Sequence, residues 1–183
     1  MDFEFTAEQA MLQKNVRAFL EKEIAPLVAE YEEKYAPYPR EILVDLIKKL
    51  LPWDYCVGII PKTDGGTEIG YINNGILQEE LSRVWASLSV SLGAGGGFLV
   101  SKLATEDQKK KYLPDLQSLD LLASFALTEP NVGSDLRGVE TTAVLDGDHY
   151  VINGQKAWVT GGDIADICIL FASEDRSKGL DGL

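Results

Sequence analysis

Two short stretches carry residue types able to hold a flat, polar ligand. In Phe125-Ala126-Leu127-Thr128-Glu129-Pro130-Asn131-Val132-Gly133-Ser134-Asp135 an apolar run gives way abruptly to a polar, small-residue loop. The apolar Phe125, Ala126 and Leu127 predict a strand that is half or wholly buried. Pro130 has no backbone N–H and holds Glu129 extended, so the strand should stop there. Gly133 lets another group approach the main chain closely. Thr128, Ser134 and freed backbone N–H groups then offer hydrogen bonds at the mouth of the loop. That mouth suits a ligand bearing carbonyls or phosphates; the same residues would also make an ordinary surface turn. The second stretch is Asn153-Gly154-Gln155-Lys156-Ala157-Trp158-Val159-Thr160-Gly161-Gly162. Two residues apart on a predicted strand, Trp158 and Thr160 would share a face. An indole beside a hydroxyl offers a ring system a stacking surface and one hydrogen bond.

Composition narrows the chemistry further. The chain has 183 residues, 45% of them apolar, enough for one domain or one and a half. Its 29 acidic against 17 basic residues give a net charge of −12, which speaks against a nucleic-acid surface. Cys56 and Cys168 stand far apart, and His149 is the single histidine. This suits free thiols in a reducing compartment and gives no usual zinc spacing. The same scarcity speaks against Ser-His-Asp or Cys-His catalysis. Met1-Asp2-Phe3-Glu4-Phe5 is acidic and predicts no signal peptide. No apolar run is expected to span a membrane, and the cytoplasm is the default location.

The elements that must position the two stretches fall into two halves. Thr6-Ala7-Glu8-Gln9 has the form of a capping box, followed by Leu12, Val16, Phe19, Leu20, Ile24 and Leu27 at helical spacing. Pro26 is expected to kink or end that helix. Residues 35–39 hold two prolines and read as a connector. Residues 41–51 form a second amphipathic helix, stopped by Pro52. The composition of 61–66 predicts a turn. Helices follow over 71–84 and 86–102. The run Gly93-Ala94-Gly95-Gly96-Gly97 is odd in a helix, since each glycine costs about 1 kcal/mol relative to alanine. It completes neither a dinucleotide fingerprint nor a P-loop. Either close helix packing or room for a ligand's acyl part would account for it. Thr105-Glu106-Asp107-Gln108 repeats the capping box and opens a helix carrying Lys109, Lys110 and Lys111, expected to end by Pro114. The lysines read as a solvated face or a phosphate contact.

From residue 121 the period changes to that of strands. Strands are predicted over 121–127, 139–145, 150–152, 156–160 and 166–172, with turns at Asp146-Gly147-Asp148 and Asn153-Gly154, and a loop over 173–183. Helices first and strands afterward, without βαβ alternation, predict an α+β chain.

The ordered pair of stretches, of the form L-T-E-P-x-x-G-S-D and then N-G-x-K-x-W-[IV]-T, resembles the signature of the acyl-CoA dehydrogenase family. The resemblance covers nearly the whole chain. It implies an N-terminal all-α helical bundle, 1–120, then an incomplete antiparallel β-barrel or sandwich, 121–183, with the family's C-terminal helical domain absent. It implies FAD as cofactor, with Phe125, Leu127, Thr128, Gly133, Ser134, Trp158, Val159 and Thr160 as its contacts. Ser134 would also touch substrate. The implied reaction is α,β-dehydrogenation of an acyl-CoA thioester to a trans-2-enoyl-CoA, by an oxidoreductase of fatty acid metabolism. Electrons would pass to an electron-transfer flavoprotein or another acceptor, and the complete enzyme would be a homo-oligomer. The base glutamate is expected beyond Leu183, so the chain alone should be inactive; Glu79, Glu80 and Glu129 have no assigned role as base, and Glu129 reads as structural. Two departures from the family are the glycine run at 93–97 and Ser118-Leu119-Asp120, where a glycine is common. The alternatives are an acyl-CoA oxidase or related flavoenzyme on the same scaffold, and a non-catalytic binding or assembly module.

Overall fold

The computed structural model describes residues 4–34, 38–93 and 96–183. The chain divides into two compact units, Met1–Leu122 and Ala123–Leu183. Residues 1–3, part of the proposed 35–39 connector, and residues 94–95 of the glycine run lie outside the described residues.

In the first unit, α1 (Ala7–Phe19) begins at the expected capping box: Thr6 accepts from the Gln9 N–H, and the Gln9 side chain accepts from the Thr6 N–H. Pro26 does not end the helix. A π-turn (Leu20–Ile24) precedes it, in which the Ala25 N–H reaches back to the Leu20 carbonyl, and α2 (Ala25–Lys34) continues through the proline. The wider turn shifts the hydrogen-bond register just where Pro26 lacks a donor. Next come α3 (Arg40–Lys48), α4 (Tyr71–Gly93), α5 (Gly97–Leu103) and α6 (Glu106–Ser118).

Val16, Leu20 and Ile24 meet Leu46, Ile47, Leu77, Leu81 and Leu88 in one buried core. The sequence places helices over 71–84 and 86–102. In the structure the first joint is a break at Trp85, whose φ/ψ of −155°/92° interrupts α4. Tyr71–Leu103 is by length and composition apolar enough to cross a membrane, contrary to the sequence expectation. Burial of Ile76, Leu77, Leu81, Trp85 and Leu88 accounts for part of that composition, while Tyr71, Ile72, Val90 and Leu103 are exposed. At the described part of the glycine run, Gly96 has a positive φ of +64°, which favours glycine, and a Cβ on Gly97 would come within 3.2 Å of Ile60, so close packing applies to Gly97.

The second capping box, at Thr105 and Gln108, opens α6 as expected, but the helix passes through Pro114 and ends at Ser118. Leu113 and Leu116 are buried on either side of the proline and hold that segment in place. Its C-cap is Leu119, left-handed at φ +64° and packed in the core, within the Ser118-Leu119-Asp120 stretch where a glycine is common in the family. Lys109 pairs with Glu106 and Asp64 and so is not a free phosphate contact. The 61–66 turn forms as a 3-10 turn (Lys62–Asp64), and a Cβ on Gly66 would fall 2.0 Å from the Ile60 carbonyl oxygen.

The second unit has four strands: β1 (Ala123–Ala126), β2 (Thr142–Asp146), β3 (His149–Asn153) and β4 (Ile167–Leu170). β2 and β3 form the expected antiparallel hairpin around Gly147 at φ +65°. β1 and β4, however, are parallel, pairing Ala123 with Ile167 through Ala126 with Leu170. This corrects the all-antiparallel expectation. The 40 residues between the two strands, hairpin included, return the chain to run alongside β1 in the same direction. Beyond β4 the Phe171 N–H bonds the Ala126 carbonyl, and Ser173 exchanges hydrogen bonds with Thr141 and Ala143. The segment after β4 therefore links the two small sheets, with Ser173 in a parallel bridge to Thr142. Residues 173–183 contain a 3-10 stretch (Arg176–Gly182) rather than an open loop.

Candidate functional site

Strand β1 ends at Ala126, short of the proline, and the signature that follows folds into two turns. Glu129 and Val132 exchange backbone hydrogen bonds of 2.9 and 3.1 Å around Pro130-Asn131. Asp135 then caps a 3-10 turn (Leu136–Gly138), accepting from the Arg137 N–H and gripping the Arg137 side chain. Phe125 is half-buried and meets the Phe171 ring edge-on, with centroids 5.3 Å apart.

The 156–160 segment is not a strand, which corrects the period-two argument for Trp158 and Thr160. Only Thr160 makes a bridge, to Phe125, while the Ala157 N–H bonds the Thr128 carbonyl at 2.9 Å. Asn153-Gly154 is likewise not a hairpin turn. Gly154 is needed for close approach, since a Cβ there would lie 2.3 Å from Thr141 Oγ1. Trp158 itself has φ +56° and its side chain is 90% exposed. A left-handed backbone is costly for a bulky residue, and a large exposed indole gains nothing from the core. Strain at an uncovered aromatic marks a surface arranged for something other than stability.

The centre of this arrangement is a buried ion pair. Lys156 Nζ donates to Glu129 Oε1 at 2.8 Å and to the Leu127 carbonyl at 3.0 Å. The two side chains are only 8% and 1% exposed. Glu129 also accepts from the backbone N–H of Glu140 at 2.6 Å and of Thr141 at 2.9 Å. Burial would raise the Glu129 carboxyl, but Lys156 and these N–H groups outweigh it and hold the group down at about 2. One carboxylate thus ties residues 127–129, 140–141 and 156 together. The expected structural role of Glu129 agrees with these contacts. Its partner Lys156 stood within the second motif, yet nothing in the spacing of the two motifs indicates that they close on each other.

Of the sequence-predicted site residues, Phe125, Leu127, Thr128, Trp158, Val159 and Thr160 belong to segments that lie side by side, joined by the contacts just described. Gly133 and Ser134 lie on an exposed bend beyond the Pro130 turn. A Cβ on Gly133 would meet nothing within 4 Å, so the protein side of that position is open. Among the described residues, no hydrogen bond joins Gly133 or Ser134 to Trp158 or Thr160. A separate 410 Å³ depression, lined by residues that include Tyr150, Ile152, Leu170, Glu174 and Lys178, contains none of the candidates. Among the acids considered as bases, Glu80 is 1% exposed and gripped by Arg17 through bonds of 2.9 and 2.7 Å, which lower its pKa.

The sequence matches the family model for the acyl-CoA dehydrogenase N-terminal domain over residues 6–120 and that for the middle domain over residues 124–183. It is 38% identical to a short-chain-specific acyl-CoA dehydrogenase of Clostridium acetobutylicum, across 100% of this chain and 48% of that protein. Among solved structures, a glutaryl-coenzyme A dehydrogenase in complex with glutaryl-CoA superposes with a TM-score of 0.83 at 33% identity, over 100% of this chain and 46% of the other. An acyl-CoA dehydrogenase from Bacillus anthracis complexed with FAD does so with a TM-score of 0.77 at 31% identity, over 93% and 29%. The chain spans about half the length of the curated relatives it matches. With both family models satisfied in order and the two signature stretches brought together in the second unit, the chain belongs to the acyl-CoA dehydrogenase family.

Proposed function

We propose that this chain supplies the helical and flavin-holding parts of an FAD-dependent enzyme that dehydrogenates an acyl-CoA thioester to its trans-2-enoyl-CoA. The observation that carries the reading is Trp158, an indole 90% exposed on a left-handed backbone next to the strapped Thr128 segment. A flat ring system fits that surface: it covers the indole and meets the hydroxyls of Thr128 and Thr160, which stand on neighbouring segments. FAD would supply the hydride acceptor for the β-carbon. The chain's own residues bind and orient. Trp158 and Val159 offer the apolar platform, Phe125 and Leu127 the strand beside it, and Thr128 and Thr160 hydrogen bonds to the ring's polar edge. Gly133 and Ser134 leave an open bend for the pyrophosphate or the CoA arm, with Ser134 also contacting substrate.

The proton from the α-carbon has to go to a carboxylate. Glu80 and Glu129 are both committed, to Arg17 and to Lys156. Among the described residues that leaves exposed Glu79 untied, and neither commitment identifies a base; following the family resemblance, we place the base outside residues 1–183, and the chain by itself should not turn over. The electrons would leave to an electron-transfer flavoprotein or another acceptor, from a homo-oligomeric enzyme. We also infer that the two small sheets belong to one barrel or sandwich. The bridge at Ser173 and the uncovered apolar side chains of Val144, Leu145, Tyr150, Val151 and Ile152 support this.

A visible spectrum of the intact protein containing this chain, taken with FAD and then with acyl-CoAs of increasing length, tests the proposal. Flavin bands that bleach on adding an acyl-CoA are the expected result. Bleaching followed by oxygen uptake and hydrogen peroxide release would move the assignment to an oxidase. Failure to bind FAD would overturn it in favour of a binding module.

A further inference from the structure

We propose that Lys156 is a positioning residue for the flavin ring, acting through the carbonyl of Leu127; this rests on the reading of the Trp158 surface as the flavin site. The ammonium has two partners in the structure, and they do different work. Its 2.8 Å bond to Glu129 neutralises a buried carboxylate. Its 3.0 Å bond to the Leu127 carbonyl fastens the end of the β1 segment to the segment bearing Trp158 and Thr160. The adjacent bond from the Ala157 N–H to the Thr128 carbonyl, 2.9 Å long, completes the strap. Thr128 and Trp158 thus sit on either side of a strap that a single buried ammonium helps close.

The strap matters because neither ligand-facing segment is held by a regular sheet at this point. β1 has ended at Ala126, and residues 154–159 belong to no strand. Trp158 also sits in a strained conformation that only surrounding contacts can maintain. A ring whose electron affinity depends on hydrogen bonds from Thr128 and Thr160 would register small shifts between these two segments.

The pair can be taken apart by substitution. In Glu129→Gln the amide oxygen can still accept from Lys156 and the strap to Leu127 is kept, while the amide NH2 opposes the Glu140 N–H and the buried ammonium loses its counter-charge, both of which cost stability. In the double variant Glu129→Gln/Lys156→Met no charge is left unpaired, but the Leu127 carbonyl loses its donor. A purely structural ion pair and a positioning lysine then predict different outcomes.

The experiment uses the intact holoprotein and reads flavin affinity, reduction potential and the fine structure of the visible flavin band, alongside the melting temperature. Glu129→Gln should melt lower yet keep the wild-type potential and band shape. The double variant should bind FAD at least tenfold more weakly and shift both potential and band shape. A double variant with unchanged flavin properties would overturn the positioning role. So would a Glu129→Gln protein whose flavin is displaced as far as in the double variant. Wild-type protein that binds no FAD would instead remove the site reading on which the proposal rests.

Discussion

Replacing Trp158 with asparagine separates what the indole does for the fold from what it does for a ligand. In the folded chain the side chain is 90% exposed, so about a tenth of its ~250 Å² is buried, worth ~0.6 kcal/mol at about 25 cal/mol per Å². Against this stands the left-handed backbone at φ +56°. That conformation costs a bulky L-residue about 1–2 kcal/mol, and asparagine adopts it more readily. The two terms nearly cancel, with the balance toward stabilisation. Trp158→Asn should therefore leave the flavin-free chain unchanged or up to about 1 kcal/mol more stable, where truncating a packed tryptophan costs about 3–5 kcal/mol. The flavin complex should respond in the opposite sense. Covering the exposed nine-tenths of the indole is worth at most about 6 kcal/mol, and a third of that still weakens binding more than tenfold. Urea and thermal unfolding of the flavin-free chain, paired with FAD titrations of the intact protein, read both quantities. A variant that loses more than about 2 kcal/mol without flavin would show that the indole packs on the protein. Unchanged FAD affinity would show that it does not meet the ring.

Three further outcomes follow from the buried groups. The folded Glu129 carboxyl titrates at about 2, below its ordinary 4.5, so it stabilises the folded state fully above pH 4.5 and loses that contribution as pH falls toward 2. The difference amounts to about 3 kcal/mol. Urea unfolding between pH 7 and pH 3 should show a shallower acid dependence in Glu129→Gln than in wild type; parallel curves would refute the assignment. Gly154→Ala places a Cβ 2.3 Å from Thr141 Oγ1 and 2.6 Å from its backbone Cα, and should cost at least about 2 kcal/mol in unfolding free energy. The two thiols should react in separate phases with an aromatic disulfide reagent at pH 8. Cys168 is exposed and fast, whereas burial pushes the Cys56 thiol up to about 12 and makes it slow until the chain unfolds.

The sequence made some of this legible and concealed the rest for identifiable reasons. Both capping boxes formed as read, because a cap is a local bargain between residues three apart. The β2–β3 hairpin formed for the same reason, with Gly147 at the turn. Pro114 misled because a missing N–H is a local rule that buried neighbours can override, and at Pro26, where a kink or an end was expected, a π-turn shifts the register and the helix goes on. The parallel pairing of β1 with β4 links residues more than 40 positions apart, and nothing in either strand's alternation encodes direction. At the site, the residue types were readable but their geometry was not. Period two presumes a strand, and the segment around Trp158 leaves strand geometry where its side chain is most exposed.

The signature letters divide by task once their contacts are known. Glu129 is buried beneath Lys156, and Asp135 is occupied with Arg137 and its own turn, so both acids serve the loop. Pro130 sets that turn, and Gly154 admits Thr141. What these residues leave over is the set bearing an aromatic face and hydroxyls: exposed Trp158, with half-buried Thr128 and Thr160 on the adjoining segments. A motif dense in ionisable residues invites an acid–base reading, yet its ionisable members here are the ones taken out of play. This division supports the proposal that the chain binds and orients a ring, with Glu129 and Glu80 held by Lys156 and Arg17 rather than free to take a proton.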